Sequence, residues 1–138
     1  MLKQPRKFKF KKEQKGRIKG FELSKTSNRL YFGLYGLKIL NSGYITSNQI
    51  EATRQIINRT LKRQGKIWIR FFPDKPITKK PLETRMGKGK GNVNHWVARI
   101  KNGKILFEIS GVSKELAYSA LLLGAAKLPF KTKIIIRN

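Results

Sequence analysis

Residues 93–109 read VNHWVARIKNGKILFEI. Two runs rich in β-branched and aromatic residues flank Asn102-Gly103, a dipeptide that favours a type I′ hairpin turn. Pairing Lys101 with Lys104 sets Trp96, Ala98 and Ile100 opposite Ile109, Phe107 and Ile105. All six then share one face, as a half-buried antiparallel sheet requires. Val97, Arg99, Leu106 and Glu108 fall on the other face. The stretch predicts an antiparallel sheet, onto which the remaining segments must pack.

Working outward, residues 66–72 (KIWIRFF) read as a strand with Ile67, Ile69 and Phe71 on one side and Trp68 and Arg70 on the other. Pro73-Asp74-Lys75-Pro76 ends it in a turn. Residues 28–40 (NRLYFGLYGLKIL) suggest one or two strands, with Gly33 and Gly36 marking a bulge or a close approach. Asn41-Ser42-Gly43 reads as a turn. Thr46 to Gly65 carries the strongest helical signal: Thr46 and Gln49 make a capping box, and Ile50, Ile57 and Leu61 form an apolar stripe. Ser113 to Lys127 predicts a second helix, with Ser113 as cap and Leu116, Ala120, Leu121, Gly124 and Leu128 facing the core. Pro129 closes it, and 130–137 gives a last strand. The fold class is α+β: a two-layer sandwich, mostly antiparallel sheet with two helices on one face.

Composition sets the partner. The 138 residues carry 32 Lys+Arg against 7 Asp+Glu, a net charge of +25. Such an excess makes a free monomer repel itself and implies a polyanionic partner, nucleic acid before an anionic membrane. Residues 1–27 hold ten of the basic residues and two acids, with Phe8, Phe10, Ile18 and Phe21 spaced among them. Pro5, Gly16 and Gly20 break regular structure there. This is a basic, extended arm that orders against a phosphate backbone, and residues 28–138 are the α+β core. The chain has no long apolar run, so no membrane span is expected. Its start, MLKQPRKFKFKK, lacks the apolar centre of a signal peptide and any clean amphipathic presequence.

Within the core, residues 82–92 form a glycine-lysine loop containing RMGKGKG at 85–91. A nucleotide-binding P-loop needs G-x-x-x-x-G-K followed by Ser or Thr, between a strand and a helix. Here no Ser or Thr follows, and the loop opens into a strand. A dinucleotide fingerprint lacks its βαβ unit. The glycines still have a physical use in phosphate contact, with a flexible, exposed linker as the alternative. Gly87, Gly89 and Gly91 let the backbone come close, Lys88 and Lys90 add mobile charges, Arg85 adds a fork, and Met86 supports the loop from its own core.

No catalytic constellation emerges. There is no cysteine, and His95 is the sole histidine, so a thiolate or histidine-built metal site is excluded and no cofactor is expected. Asp74 and Glu83 sit among positive charges and read as ion-pair partners rather than acid–base groups. A nuclease would need clustered carboxylates for metal ions. An independent DNA- or RNA-binding module would fit the charge, yet no helix-turn-helix, zinc finger or RNA-recognition aromatic signature is present.

QGKIWIRFFPDKPITKKP at 64–81 and ETRMGKGKGNVNHWVARI at 83–100 resemble the bacterial-type large-subunit ribosomal protein L16 (uL16) family. LKQPRKFKFKKEQKGRIKG, TSNQIEATRQIINRTLKRQG and GKILFEISGVSKELAYSALLLGAAKLPFKTKIIIR fall in the family's order. Residues 21–32 and the pair Asn94-His95 depart from its pattern. The resemblance implies a non-catalytic protein on large-subunit rRNA, near the aminoacyl-tRNA site and the peptidyl transferase centre. Its implied partners are that rRNA, aminoacyl-site tRNA and neighbouring large-subunit ribosomal proteins. It assigns rRNA contact to Arg6, Lys7, Lys9, Lys11, Lys12 and Arg17 in the arm. It assigns the same role to Arg54, Arg59, Lys62, Arg63 and Lys66 on and after the first helix. Arg85, Met86, Gly87, Lys88, Gly89, Lys90 and Gly91 match the loop that approaches the tRNA region. A chain rich in Ile, Asn and Lys fits an AT-biased genome, and a mitochondrial ribosome is favoured over a plastid or bacterial one.

Overall fold

The computed structural model describes residues 4–18 and 23–137. Gly20 and Phe21, read above as part of the arm, lie outside them. The elements run β1 (Tyr35–Ile39), β2 (Gly43–Thr46), α1 (Ser47–Thr60), β3 (Lys66–Ile69), β4 (Lys75–Lys79), β5 (Asn92–Ile100), β6 (Ile105–Ser110), α2 (Lys114–Ala125) and β7 (Thr132–Ile136). Two sheets form, ordered β3-β6-β1-β7 and β2-β5-β4, and every pairing between these strands is antiparallel. Helix α1 packs on β2 and β5, α2 packs on β1 and β7, and the helices pack on each other. The α+β sandwich with two helices stands, and its sheet is divided in two.

The expected hairpin is absent. Asn102-Gly103 does turn the chain: Gly103 has φ +81 and the Lys104 N–H donates to the Lys101 carbonyl at 3.3 Å. But the two strands then part into different sheets. Ile39 donates to the Lys104 carbonyl at 3.0 Å, and β1 takes the place beside β6 that β5 was expected to hold. Leu37 sits opposite Phe107, and Ile67 of β3 sits opposite Ile109. The physical reason is burial. Every residue from Ile105 to Ile109 is buried, so β6 is a central strand with both faces covered and both edges paired. β5 pairs instead with β2, Ile45 opposite Ala98, and with β4.

Two strands escaped the sequence reading. β2 occupies what was read as turn and helix start, and β4 runs through Lys75-Pro76, read as turn. Pro76 is tolerated because β4 lies at a sheet edge, where a missing N–H breaks no ladder. β3 ends at Ile69 rather than Phe72, although the Arg70 N–H still donates to the Leu106 carbonyl at 3.0 Å.

Both helices form where the periodicity placed them. The Thr46 capping box is complete, and Ile50, Thr53 and Ile57 are buried. Ser113 stands at the N-cap of α2 without a side-chain hydrogen bond, and Ala117 is buried in addition to Ala120, Leu121 and Gly124. These side chains meet Leu37, Ile39, Ile100, Leu106 and Phe107 in one core. Phe71 closes it edge-on to Phe107, centroids 5.7 Å apart.

One buried carboxylate organises the entry to β1. Glu108, fully buried in β6, accepts the N–H groups of Tyr31, Phe32 and Gly33 at 3.2, 2.7 and 2.8 Å on one oxygen. Its other oxygen pairs with Arg70 at 2.6 Å. Arg70 also donates to the Arg29 carbonyl at 2.6 Å. Gly33 is pressed so close to β6 that a Cβ there would stand 2.7 Å from the Ile109 carbonyl oxygen and 2.8 Å from its nitrogen. Backbone cannot give way as a side-chain tip can. Gly33→Ala is expected to destabilise the protein by about 1–3 kcal/mol, read by urea unfolding. An unchanged midpoint would show that the segment moves freely.

Candidate nucleic-acid interface

The arm, residues 4–18, has no helix or strand and lies along the three-stranded sheet. Phe8 stacks on Trp96 of β5, centroids 4.5 Å apart and planes 11° from parallel. Tyr44 of β2 donates its hydroxyl to the Lys15 carbonyl at 2.9 Å, and Arg99 donates to the Arg17 carbonyl at 3.0 Å. The backbone and one aromatic ring therefore fasten the arm. Arg6, Lys7, Lys9, Lys11, Lys12 and Arg17 are all exposed. Phe10 also faces out, with the Lys9 ammonium 5.7 Å from its ring centroid.

The glycine-lysine loop meets this arm. Lys12 donates its ammonium to the Lys90 carbonyl at 2.9 Å, and Lys90 returns a hydrogen bond from its own ammonium to the Glu13 carbonyl. Lys80 holds the Gly87 carbonyl at 2.6 Å. Gly87 and Gly89 adopt φ of +99 and +81, and Lys88 between them has φ +50. A run of left-handed residues turns the loop outward. Among the described residues nothing engages the Arg85 or Lys88 side chains, so both are available to a ligand. Met86 is 95% exposed. It does not support the loop from a core, because 81–90 are exposed throughout and the loop has none.

A second basic site lies on α1. Arg54, Arg59, Lys62 and Arg63 line one groove of about 390 Å³ with Gln55 and Asn58. Spacing of three and four residues stacks these side chains on one side of the helix. Lys62 and Arg63 continue the row beyond its end with φ of +48 and +64. Arg54 is held by Glu51, its Nη2 2.6 Å from the carboxylate. That hydrogen bond lowers the Glu51 pKa and raises that of Arg54, against the opposing effect of burial on each. Lys66 is not in this groove. It stands over Trp68, its ammonium 5.3 Å from the ring centroid.

A third basic site was not foreseen. Lys25, Arg99, Lys101 and Lys104 surround a cleft of about 590 Å³ with Ser24, Thr26 and Ser27. Burial pushes the Lys104 ammonium below its usual pKa; Asp74 opposes this and Arg70 adds to it. The cleft exists because Leu23 bridges to Asn102 and the Ser24 N–H donates to the Asn102 carbonyl at 2.8 Å, folding 23–27 over the turn. No local pattern announces a contact between residues so far apart in the chain.

Asp74 and Glu83, expected to pair with cations, are exposed and form no ion pair among the described residues. Among those residues no group of three or more His, Cys, Asp or Glu side chains gathers to hold a metal ion. His95 lies exposed on β5 opposite Ile77. No described helix is long and apolar enough to cross a membrane.

The large ribosomal subunit protein uL16 of Blochmanniella pennsylvanica is 61% identical over 137 residues, covering 99% of this chain and 100% of that one. The protein of the same name from Psychrobacter cryohalolentis is 59% identical over 135 residues, 98% and 97% of the two chains. That of Buchnera aphidicola is 58% identical over 134 residues, 97% and 96%. The model of the family described as ribosomal protein L16p/L10e matches residues 5–135. With that span and those identities, the chain belongs to the ribosomal protein L16p/L10e family.

Proposed function

We propose that this protein is a structural constituent of the large ribosomal subunit, where it binds large-subunit rRNA and helps shape the aminoacyl-tRNA site near the peptidyl transferase centre. The observation that carries the reading is the joined arm and loop. Their backbones are fastened to the sheet and to each other, while Arg6, Lys7, Lys9, Lys11, Arg85 and Lys88 extend into solvent. Fixed backbone with free cations suits a partner made of phosphates. The protein positions RNA and neutralises charge; it makes and breaks no covalent bond.

On this reading residues 1–27 are the rRNA-binding arm and 28–138 the core. Arg6, Lys7, Lys9, Lys11, Lys12 and Arg17 take one stretch of rRNA. Arg54, Arg59, Lys62 and Arg63 take another through their shared groove, and Lys66 takes a contact of its own. Arg85 through Gly91 approach the tRNA region, and neighbouring large-subunit proteins complete the surroundings. The Ile-, Asn- and Lys-rich composition suggested a mitochondrial ribosome. The relatives named above are bacterial, and the same composition suits an AT-biased bacterial genome equally well.

Sedimentation of tagged protein from its source cell tests function and compartment together. Recovery in large-subunit particles is expected, and the co-sedimenting large rRNA names the compartment. Recovery only in light fractions with varied RNAs would replace this reading with an independent binding module. A second test isolates the loop. Arg85→Ala combined with Lys88→Ala should change stability by no more than about 0.5 kcal/mol, because both side chains are exposed. The variant is expected to enter particles that then translate slowly. Normal elongation rates would remove the loop from the tRNA region.

A further inference from the structure

A fourth surface carries aromatic rings rather than lysines. Tyr31 and Phe32, in the segment pinned by Glu108, are 56% and 58% exposed. Phe32 stacks on Trp68 of β3, centroids 6.1 Å apart and planes 20° from parallel. Lys66 caps Trp68 at 5.3 Å. The Arg70 guanidinium lies 4.9 Å from the Tyr31 centroid and 5.6 Å from that of Phe32. These rings are not left over from the core. They are held outward by a buried ion pair and three backbone hydrogen bonds.

We propose that Phe32 and Trp68 form a stacking platform for an unpaired nucleobase of the RNA, with Lys66 contacting the adjoining phosphate. The inference rests on the rRNA-binding function and adds a contact of another kind to it. Three features select RNA over a protein partner. The rings lie near-parallel and part-exposed, which suits a flat base laid against them. The cations over them, Lys66 and Arg70, face one acid, Glu108, which is buried and already engaged by Arg70. And β3 is a sheet edge, so the base approaches from an open side. Aromatic platforms take bases from unpaired segments and leave duplex bases alone.

The chain contains two tryptophans, Trp68 and Trp96, so Trp96→Phe leaves Trp68 as the fluorescent reporter. Full-length protein is titrated with a single-stranded RNA oligomer, an abasic oligomer of equal charge and inorganic polyphosphate. Quenching of Trp68 by the RNA alone is expected. Quenching by all three polyanions, or by none, would overturn the proposal. Phe32→Leu keeps apolar packing and removes the stack. It should weaken RNA binding about 5- to 100-fold, the worth of one stacked base, and leave the slope of affinity against salt unchanged. Unchanged affinity with an intact fold would overturn the platform even if the protein sediments with large rRNA. Absence from those particles would overturn the parent function instead. Cross-links from Phe32 to a neighbouring protein, with none to RNA, would assign the surface to that protein and also end the proposal.

Discussion

Removing the Glu108 carboxylate is expected to cost about 3–5 kcal/mol, the usual consequence of breaking a buried ion pair from one side. Glu108→Ala strands the Arg70 guanidinium and the N–H groups of Tyr31, Phe32 and Gly33 together. Glu108→Gln keeps the volume and an acceptor and should lose about half as much. Urea unfolding measures both; an alanine variant weakened by less than about 1 kcal/mol would mean that the segment 29–34 is held by other contacts. The same group makes stability depend on pH. Burial alone would raise the Glu108 pKa, but the N–H groups of Gly33 and Phe32 and the charge of Arg70 outweigh it and lower the value. A carboxylate with a lowered folded pKa stabilises fully above its unfolded pKa, about 4.3. That contribution fades as pH falls through the folded value. Wild-type stability should drop across this acid range, and Glu108→Gln should flatten the drop. Parallel pH profiles for the two proteins would refute the assignment.

The second large effect is ionic. Neutralising about ten phosphates gives a slope of log K against log salt near −9 for duplex RNA treated like duplex DNA, and near −7 for single strands. Affinity for a large-subunit rRNA fragment should therefore fall by roughly 10⁴–10⁵ between about 50 and 200 mM salt. Filter binding across a salt series reads it. A slope shallower than about −3 would mean that most of the +25 charge does not touch phosphate. Each exposed arm lysine changed to Ala should reduce the slope by about one.

Local signals were legible. The capping box at Thr46, the apolar stripe of α1 and the extent of α2 follow from contacts within a few residues of chain. So do the phosphate-binding candidates, because charge and glycine are visible without a fold. Pairing partners were not legible. Asn102-Gly103 makes its turn in either topology, and the alternation on its two sides suited a hairpin that the structure does not contain. What decides the matter is non-local: β1 and β3 occupy both edges of β6. The burial of Glu108 is non-local in the same way, because its partner Arg70 lies 38 residues away. The cleft at Lys25, Arg99, Lys101 and Lys104 and the rings at Phe32 and Trp68 depend on the same long-range closures.

On the proposed function, the reciprocal hydrogen bonds between Lys12, Glu13 and Lys90 would make the arm and the loop a single bivalent ligand for RNA. Once either segment is seated on RNA, the other searches only the small volume its tether allows. Its effective concentration is then in the millimolar range or above, as for any short linkage. Two contacts linked in this way would dissociate as one unit, more slowly than either alone. An arm supplied as a separate peptide would have every cation it needs and none of that residence time.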